Sequence, residues 1–368
     1  MAFLILTIQS SFSGECLTEL KKTYPSMEEI SPSYAKNFKI YKTNKFTYIK
    51  IKKLWIGDNV GKGYFLKSKP NQLNHCKLQK HLKTNVEKII PLSTTYVAFL
   101  EALKLEKKIV GFPKTNYINS KRTRILVKKQ KIKNLKFPLN PEELISLKPD
   151  LIISYSSSAP EVLGLEKIEK ITKKIIYFPE YLEDHPLGRA EWIILLGYLT
   201  DHISESKIFF NDVRTKYLKL RKNFEKSEFK RKVLLGKKQD GNWIAPSSNS
   251  YLSRLVEDAG GINILKGSKV NNLKFEEVLK KKRLVDFWLP HTAWKNRNDI
   301  LNEDKKYNLL FSNTNMKVYN STRKNNANSG FDFWETGLSR PDLILKDLIT
   351  IFNHKYEKDL VLRWYKKL

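Results

Sequence analysis

Cysteine and histidine are scarce in this chain of 368 residues, which has two cysteines, Cys16 and Cys76, and six histidines. Two cysteines are too few for a disulfide framework or a four-cysteine zinc site. The sequence also lacks a glycine-rich phosphate loop, an HExxH pair, a nucleophile elbow and any cluster of acid and base side chains. We therefore expect a protein that is not an enzyme and that has no resident cofactor or metal ion.

Acidic residues are also few, with 38 Asp and Glu against 68 Lys and Arg, which gives a net charge of +30. Such a charge attracts polyanions, including nucleic acid and anionic membranes. Lysine, however, is spread along the whole chain and far outnumbers arginine, the usual bidentate reader of phosphate. We therefore expect a solvated basic surface and no nucleic-acid partner. The alternative is a basic polyanion- or nucleic-acid-binding envelope protein, whose binding would fall steeply with salt.

Long hydrophobic runs are absent, and the short run Phe3–Ile8 cannot span a bilayer as a helix. It resembles the core of a signal peptide, and Cys16 lies where a bacterial lipoprotein carries its acylated cysteine. No cation precedes the run, and Glu15 stands where a small residue belongs; a buried N-terminal strand is the alternative. We predict a signal-like segment over residues 1–16, lipidation at Cys16, and a protein in the periplasm or anchored facing it.

The next residues, 17–85, form an N-terminal extension before the pattern of the main domain begins. Polar and apolar residues alternate from Asn37 to Lys53, a second candidate strand covers Gly63–Lys67, and the glycines at Gly57 and Gly61 mark a turn between them. This pattern predicts a β-hairpin.

Strand and helix patterns alternate over residues 86–186, which predicts a lobe with a parallel sheet. Residues 229–352 show a second such set, followed by a charged tail over 353–368. Between the lobes, Leu187–Lys226 has no proline and carries apolar residues at helical spacing, which predicts one long bridging helix in the segment 187–228. The predicted fold class is α/β, with two Rossmann-like lobes that have central parallel sheets and are joined by this helix.

Two short helices in these lobes begin with an acidic pair. In the first, Asn140 is a good N-cap, Pro141 fits the first helical position, and Glu143 can complete a capping box. This helix chemistry leaves Glu142 unexplained. In the second, Lys274 and Phe275 are poor caps, so Glu276 and Glu277 gain less from the helix terminus. One acidic residue at each tip can therefore serve a partner outside the chain.

Several segments resemble the substrate-binding proteins of ABC importers for iron–siderophores, haem and cobalamin, particularly a Bacteroidetes-like subgroup. NPEELISLKPDLIIS resembles the N-lobe signature of that family, and YLSRLVEDAGGINI resembles its C-lobe signature. STTYVAFLEALKLEKKIVGF, HPLGRAEWIILLGYL and GFDFWETGLSRPDLILKDLI also resemble family segments, in the family's order. The stretch Lys295–Lys306 and the long tail depart from the family pattern.

The resemblance implies a monomer that holds a metal chelate, such as a ferric siderophore, between two lobes and delivers it to an ABC permease and its ATPase. By position, Glu142 and Glu276 would dock into arginine sockets on the permease through charge-assisted pairs. A cofactor-binding enzyme with the same two-lobed architecture is a further alternative, but the cysteine ligands of a metallocluster are missing.

Ligands of open α/β sheets bind at the carboxyl ends of the strands, where polar and aromatic residues of this sequence gather. The candidate ligand-binding residues are Ser93, Thr94, Thr95, Tyr96, Arg189, Trp243, Ser248, Tyr251, His291, Trp294, Arg323 and Trp334. Arginine and aromatic side chains suit a bulky anionic chelate. Structural roles compete: Thr94 and Thr95 as helix caps, Arg189 in an ion pair with Glu191, and the tryptophans as core residues.

Overall fold

The computed structural model describes residues 14–67, 73, 76, 79–155, 165–225, 230–266, 272–312, 314–328, 330–353 and 361–368. The chain divides into two compact units. Unit 1 comprises Met1–Glu183 and Gly188–Phe210, and unit 2 comprises Asp184–Leu187 and Asn211–Leu368. The predicted α/β class with parallel sheets is confirmed. The signal-like run Phe3–Ile8 lies outside the described residues.

The elements of unit 1 follow the chain in this order: helical residues 14–23 (α1), β1 (Glu28–Ile30), β2 (Phe38–Lys42), β3 (Thr47–Ile51), β4 (Lys62–Leu66), β5 (Lys80–Leu82), β6 (Ile89–Pro91), α2 (Thr94–Ala102), β7 (Gly111–Pro113), α3 (Lys121–Lys128), β8 (Lys133–Leu135), α4 (Pro141–Ser146), β9 (Leu151–Ser154), α5 (Leu165–Ile171), β10 (Ile175–Tyr177) and α6 (Pro186–Thr200, entering from unit 2). The next helix, α7 (Ile203–Glu225), begins in unit 1 and continues into unit 2.

The N-terminal extension is a five-stranded sheet in the order β1-β2-β3-β4-β5. The predicted hairpin is present as the antiparallel pair β3 and β4. The segment Asn37–Lys53, however, contains two strands rather than one. Thr43 folds the chain back between them, because its hydroxyl accepts hydrogen bonds from the N–H groups of Lys45 and Phe46.

Cys16 is bonded to Cys76 in a disulfide, and both residues are fully buried beneath this sheet. They lie in a hydrophobic cluster with the side chains of Leu20, Tyr48 and Phe65. The predicted lipidation at Cys16 is therefore wrong for this structure, because a sulfur held in a disulfide cannot carry the thioether of a lipid anchor.

The rest of unit 1 has the predicted parallel character. A three-stranded sheet has the order β10-β9-β6, and β7 and β8 form a second parallel pair. Ile152 of β9 lies between Ile175 of β10 and Ile90 of β6, and all three are fully buried. Continuous apolar runs fit strands that are covered on both faces. The sequence did not predict α3 and β8, because both are short and rich in lysine.

The single helix predicted from Leu187 to Lys226 is divided into α6 and α7. Asp201 has a φ of +62°, and the N–H of His202 donates to the carbonyl of Gly197 at 2.8 Å. This six-to-one bond around a left-handed residue is a Schellman cap, which ends α6. A new helix starts two residues later, so the periodic pattern continues although the helix does not.

Unit 2 receives the rest of α7, followed by β11 (Arg231–Leu235), β12 (Lys237–Gln239), β13 (Asn242–Ile244), α8 (Tyr251–Asp258), β14 (Gly261–Asn263), β15 (Asn272–Lys274), α9 (Phe275–Lys281), β16 (Phe287–Leu289), α10 (Arg297–Glu303), α11 (Asn308–Phe311), β17 (Lys317–Asn320), α12 (Thr336–Ser339), α13 (Pro341–Phe352) and β18 (Lys366–Lys367). Its main sheet has the order β14-β11-β16-β17-β18 and is parallel except for β18. A small antiparallel sheet has the order β12-β13-β15.

Residues 361–368, which were predicted to be part of a charged tail, place several side chains in the interior of unit 2. Trp364 and Tyr365 are 0% and 1% exposed. The indole N–H of Trp364 donates to Asp332 at 2.8 Å, and the carboxylate of Asp347 accepts from the N–H groups of Arg363 and Trp364. The end of the chain therefore adds a strand and two aromatic side chains to the unit.

Candidate functional site

The first candidate surface of unit 1 lies at the carboxyl end of β6. Ser93 caps α2, and its hydroxyl accepts from the N–H of Thr95 at 3.3 Å. Ser93 and Thr94 are half-buried, whereas Thr95 and Tyr96 are only 4% and 1% exposed. Thr95 and Tyr96 are therefore interior residues, which corrects their prediction as ligand contacts. Ser93 and Thr94 remain candidates.

Tyr96 joins the carboxyl ends of the three parallel strands from within. Its hydroxyl lies 2.6 Å from the carbonyl oxygen of Phe178, 3.4 Å from that of Ser154 and 3.1 Å from Oε2 of Glu180. Ser154 ends β9, and Phe178 directly follows β10. This tyrosine therefore fixes the edge of the sheet.

Glu180 is a buried carboxyl group that the sequence analysis missed. Burial raises the pKa of Glu180 to about 7, although the hydrogen bond from its backbone N–H and the positive charge of Arg189 both favour the ionised form. A carboxyl that titrates near neutrality beneath the carboxyl edge of this sheet can change the charge of that edge with pH. The only feature of the sequence that could have identified Glu180 as a candidate was its position shortly after an apolar strand.

Arg189 is half-buried, and its guanidinium holds the turn that contains Glu180. Nε donates to the carbonyl of Glu183 at 3.0 Å, and Nη2 donates to that of Tyr181 at 2.8 Å. The expected alternative partner, Glu191, instead accepts from the N–H groups of residues 33–35. Arg189 thus supports the edge of unit 1 through backbone carbonyls.

In unit 2, two of the predicted ligand contacts are core residues. Trp243 is fully buried, its ring lies 5.6 Å from that of Trp288, and its indole N–H donates to the carbonyl of Leu235 at 2.8 Å. Trp294 is 4% exposed and donates to Glu303 at 2.8 Å. Both belong to the hydrophobic cluster of the unit. They are therefore not available to a ligand, and their satisfied N–H groups explain why burial is tolerated.

His291 lies at the carboxyl end of β16 and is the centre of an aromatic cluster. Its ring centroid is 5.0 Å from Phe333, 5.7 Å from Tyr365 and 6.3 Å from Trp334. The ring of Trp334 is in turn 6.0 Å from that of Tyr251. The structure therefore brings together three of the predicted ligand residues, His291, Trp334 and Tyr251. We call His291, Tyr251, Phe333, Trp334 and Tyr365 the aromatic cluster.

The imidazole of His291 is held as a neutral base. Although the residue is only half-buried, desolvation of its ring by the aromatic cluster lowers the pKa of His291 to about 3. Nε2 lies 3.3 Å from the hydroxyl of Tyr365, and Nδ1 lies 3.2 Å from that of Ser321. Burial raises the pKa of Tyr365 well above its usual value, so its hydroxyl keeps the proton that it can donate to Nε2.

Among the members of the aromatic cluster, Trp334 is half-buried, whereas Tyr251 is 2% exposed and Tyr365 is 1% exposed. Trp334 is thus the member best able to meet a ligand. Tyr251 stays in the cluster as support rather than as surface.

Arg323 and Ser248 complete the predicted residues of unit 2. Arg323 follows β17, its side chain is exposed, and its guanidinium makes no ion pair or hydrogen bond within the described part of the chain. Ser248 is half-buried in the turn before Ser250, which caps α8. An unpaired guanidinium can bind an anionic group of a ligand.

The two predicted acidic helices are both present, one in each unit. Asn140 caps α4 by accepting from the N–H of Glu142 at 2.8 Å, with Pro141 at the first position. Glu143 accepts from the N–H of Lys136 at 3.2 Å rather than from Asn140, so the predicted capping box is wrong. At α9, Lys274 makes no side-chain cap, as predicted.

Glu142 and Glu276 are both exposed, and neither carboxylate has a partner among the described residues. Each lies in the first turn of a helix that leads into a parallel strand, β9 or β16. Each carboxylate lies beside the positive end of its helix dipole. Each unit therefore presents a free carboxylate at a comparable place, and in unit 2 the exposed Glu277 lies next to it in the same turn.

Two features of the described residues concern membranes and metals. No helix among them is long and apolar enough to cross a membrane. No three His, Cys, Asp or Glu side chains within the same residues lie together as a metal site.

Comparison with known proteins relates this geometry to a family. The model of a periplasmic binding protein family matches residues 89–311. An uncharacterised lipoprotein of Methanocaldococcus jannaschii is 22% identical over 95% of this chain and 85% of its own length. A periplasmic haem-binding protein of Pseudomonas aeruginosa has 16% identity and a TM-score of 0.55, covering 77% of this chain and 98% of its own. An ABC-type Fe3+-hydroxamate transport system protein of Saccharomonospora viridis has 18% identity and a TM-score of 0.52, covering 76% and 97%.

Proposed function

The chain belongs to the periplasmic binding protein family, because the family model spans more than half of it, and we propose that it is the substrate-binding protein of an ABC importer. Its role is to capture a ferric siderophore and deliver it to a membrane permease, with haem or cobalamin as the alternative cargo. The energy of transport comes from the ATPase that works with the permease, so this chain needs no catalytic site of its own.

The observation that carries the proposal is the pair of free carboxylates, Glu142 and Glu276. Exposed acids in a chain with a net charge of +30 have many cations to pair with, yet these two have no partner among the described residues. A free acid in the first turn of a helix is positioned for a cation on another protein. One such charge in each unit would fix the orientation of the protein on its permease.

The aromatic cluster supports the choice of cargo. Trp334 offers a half-buried π surface, Arg323 a free cation, and His291 a neutral nitrogen. A metal chelate with an anionic or conjugated periphery can stack on the first and pair with the second. The haem-binding and Fe3+-hydroxamate proteins among the structural neighbours support the same ligand class.

The proposed location is outside the cytoplasm, facing the periplasm or held at a membrane. The family and the lipoprotein relative support this location, and so does the buried Cys16–Cys76 disulfide, since such bonds persist mainly in oxidising compartments. With Cys16 in that bond, attachment to a membrane requires another feature of the protein.

Ligand capture is tested by titrating the tryptophan fluorescence of the purified protein with ferric siderophores, haem and cobalamin. We expect saturable quenching by one of them, which shrinks in Trp334→Phe and persists in Trp55→Phe. Trp55 is half-buried like Trp334 but lies in the N-terminal extension, which makes it a matched control. A lack of response to all three ligand classes would remove the proposed cargo.

A further inference from the structure

Residues 114–137 of unit 1 form a surface that the proposed function does not use. This stretch of 24 residues contains nine Lys and Arg and no Asp or Glu, which is nearly a third of the net charge of +30 in a small fraction of the chain. It comprises the loop after β7, helix α3, strand β8 and the residues after it. We call its exposed side chains the 114–137 surface.

Most cations of this surface have no acidic partner among the described residues. Only Arg122 forms an ion pair among the described residues, with Glu106 at 3.2 Å. Elsewhere in the chain many lysines have an acidic partner: Lys62 and Lys80 share Glu169, and Lys237 pairs with Glu303. Unpaired like charges repel one another, so a concentration of them favours an anionic partner.

The surface also exposes large apolar side chains. Tyr117, Ile125 and Phe137 are 38%, 52% and 53% exposed, and they are three of the eleven large hydrophobic residues exposed in the described part of the chain. On α3, Ile125 shares its face with Lys121 and Lys128, which lie four residues before it and three after it. An apolar side chain surrounded by cations is typical of helices that bind membrane interfaces.

The two aromatic residues are held together by a lysine. The Nζ atom of Lys114 lies 5.2 Å from the ring centroid of Phe137 and 5.7 Å from that of Tyr117. These cation–π contacts keep the two rings side by side without burying either one. Aromatic rings with adjacent cations are enriched at the headgroup level of bilayers.

We propose that the 114–137 surface binds the anionic face of a lipid bilayer. The cations attract the headgroups, and Tyr117, Ile125 and Phe137 enter the interface. Nucleic acid would satisfy the cations and could stack on the two rings, but Ile125 has no π face to offer a base. A bilayer accounts for both the charge and the exposed aliphatic residue. Such contact would keep the protein at the membrane in which its permease resides. The binding of the 114–137 surface to lipid requires neither the ligand nor the permease.

The test is co-sedimentation of the purified full-length protein with vesicles of phosphatidylcholine alone or with phosphatidylglycerol added. We expect binding only to the anionic vesicles, and we expect it to be lost at high salt. Since each cation near such a surface contributes about fivefold in affinity, the variant Lys121→Gln, Arg124→Gln, Lys128→Gln, Lys129→Gln should bind at least roughly a hundredfold more weakly. Replacing Tyr117 and Phe137 by Ser should weaken binding roughly tenfold while leaving the salt dependence nearly unchanged.

The matched control replaces four exposed lysines elsewhere, Lys207, Lys219, Lys280 and Lys346, by Gln, which removes the same charge. It should bind the anionic vesicles nearly as well as the unaltered protein. Equal losses in the two quadruple variants, or no preference for anionic vesicles, would overturn the proposal. So would salt-sensitive heparin or DNA binding by the 114–137 surface without vesicle binding, because that result would assign the surface to a polyanion. Fluorescence titration with cargo is unaffected by any of these outcomes, so the two proposals can fail separately.

Discussion

The hydroxyl of Tyr365 lies 3.3 Å from Nε2 of His291, although 74 residues separate them in the chain. The contact exists because β18 pairs with β17 beside β16, so the end of the chain returns to the carboxyl edge of the unit 2 sheet. Tyr365, from the segment that contains β18, thus orients the histidine at the centre of the aromatic cluster.

Removal of this hydroxyl should leave the ring of His291 less well positioned, without creating a large cavity in the core. We expect Tyr365→Phe to lower the free energy of unfolding by about 0.5–1.5 kcal/mol, as for a typical buried hydrogen bond, and to weaken ligand binding. Urea unfolding and fluorescence titration measure the two effects. Tyr198→Phe is the control, since Tyr198 is also buried but its hydroxyl has no hydrogen bond among the described residues. Identical behaviour of the two variants would argue against a role for Tyr365.

Glu191 anchors the N-terminal extension to the rest of unit 1. Its buried carboxylate accepts from the N–H groups of Ser33, Tyr34 and Ala35 at 2.7–2.8 Å. In Glu191→Gln an amide NH2 would face these donors, so we expect a loss of about 2–4 kcal/mol in the free energy of unfolding. Urea unfolding is the measurement, with the exposed Glu205→Gln as the control. A loss no larger than that of the control would show that the extension is held by other contacts.

Glu180 should make stability depend on pH. Its folded pKa of about 7 lies above its ordinary value of 4.5, so the native state binds the extra proton between these two values. The stabilisation is therefore complete below about pH 4.5 and is lost as the pH rises through 7, by about 3 kcal/mol in total. Glu180→Gln should flatten this part of the profile in urea unfolding at several pH values. Parallel profiles for the two proteins would contradict the account.

His291 should act in the opposite direction. Its folded pKa of about 3 lies below the ordinary value of 6.5, so its contribution is present above pH 6.5 and is lost as the pH falls towards 3. His291→Asn removes this titration, and asparagine tolerates the φ of +52° at this position. We expect the variant to lose less stability than the unaltered protein between pH 6.5 and 4, measured by urea unfolding. A variant that remains as acid-sensitive as the unaltered protein would show that the ring is hydrated and titrates normally.

Local chemistry could be predicted from the sequence where a few adjacent residues decide it. The cap at Asn140, Pro141 at the first helical position of α4 and the missing cap at Lys274 all follow from residue types within one turn. The break at Asp201 could not be predicted in this way, because apolar residues keep helical spacing on both sides of it.

Contacts between distant residues were not predictable either. Trp243 and Trp294 are buried, but the residues adjacent to them in the sequence do not show that these tryptophans face the core. The Cys16–Cys76 bond and the approach of Tyr365 to His291 each depend on a complete sheet. His291 and Trp334, which remain candidates for ligand contact, follow strand and loop patterns that occur in many α/β proteins.

The most direct test of the account is uptake of the identified ligand by cells that carry Glu142→Arg together with Glu276→Arg. We expect uptake to fail while the purified variant binds ligand with nearly unchanged affinity, because both carboxylates are exposed and support no other residue. Glu205→Arg with Glu277→Arg is the control, since it makes the same change of charge in the same two units and should leave uptake intact. Normal uptake by the Glu142 and Glu276 variant would contradict the proposal that these carboxylates dock the protein to a permease.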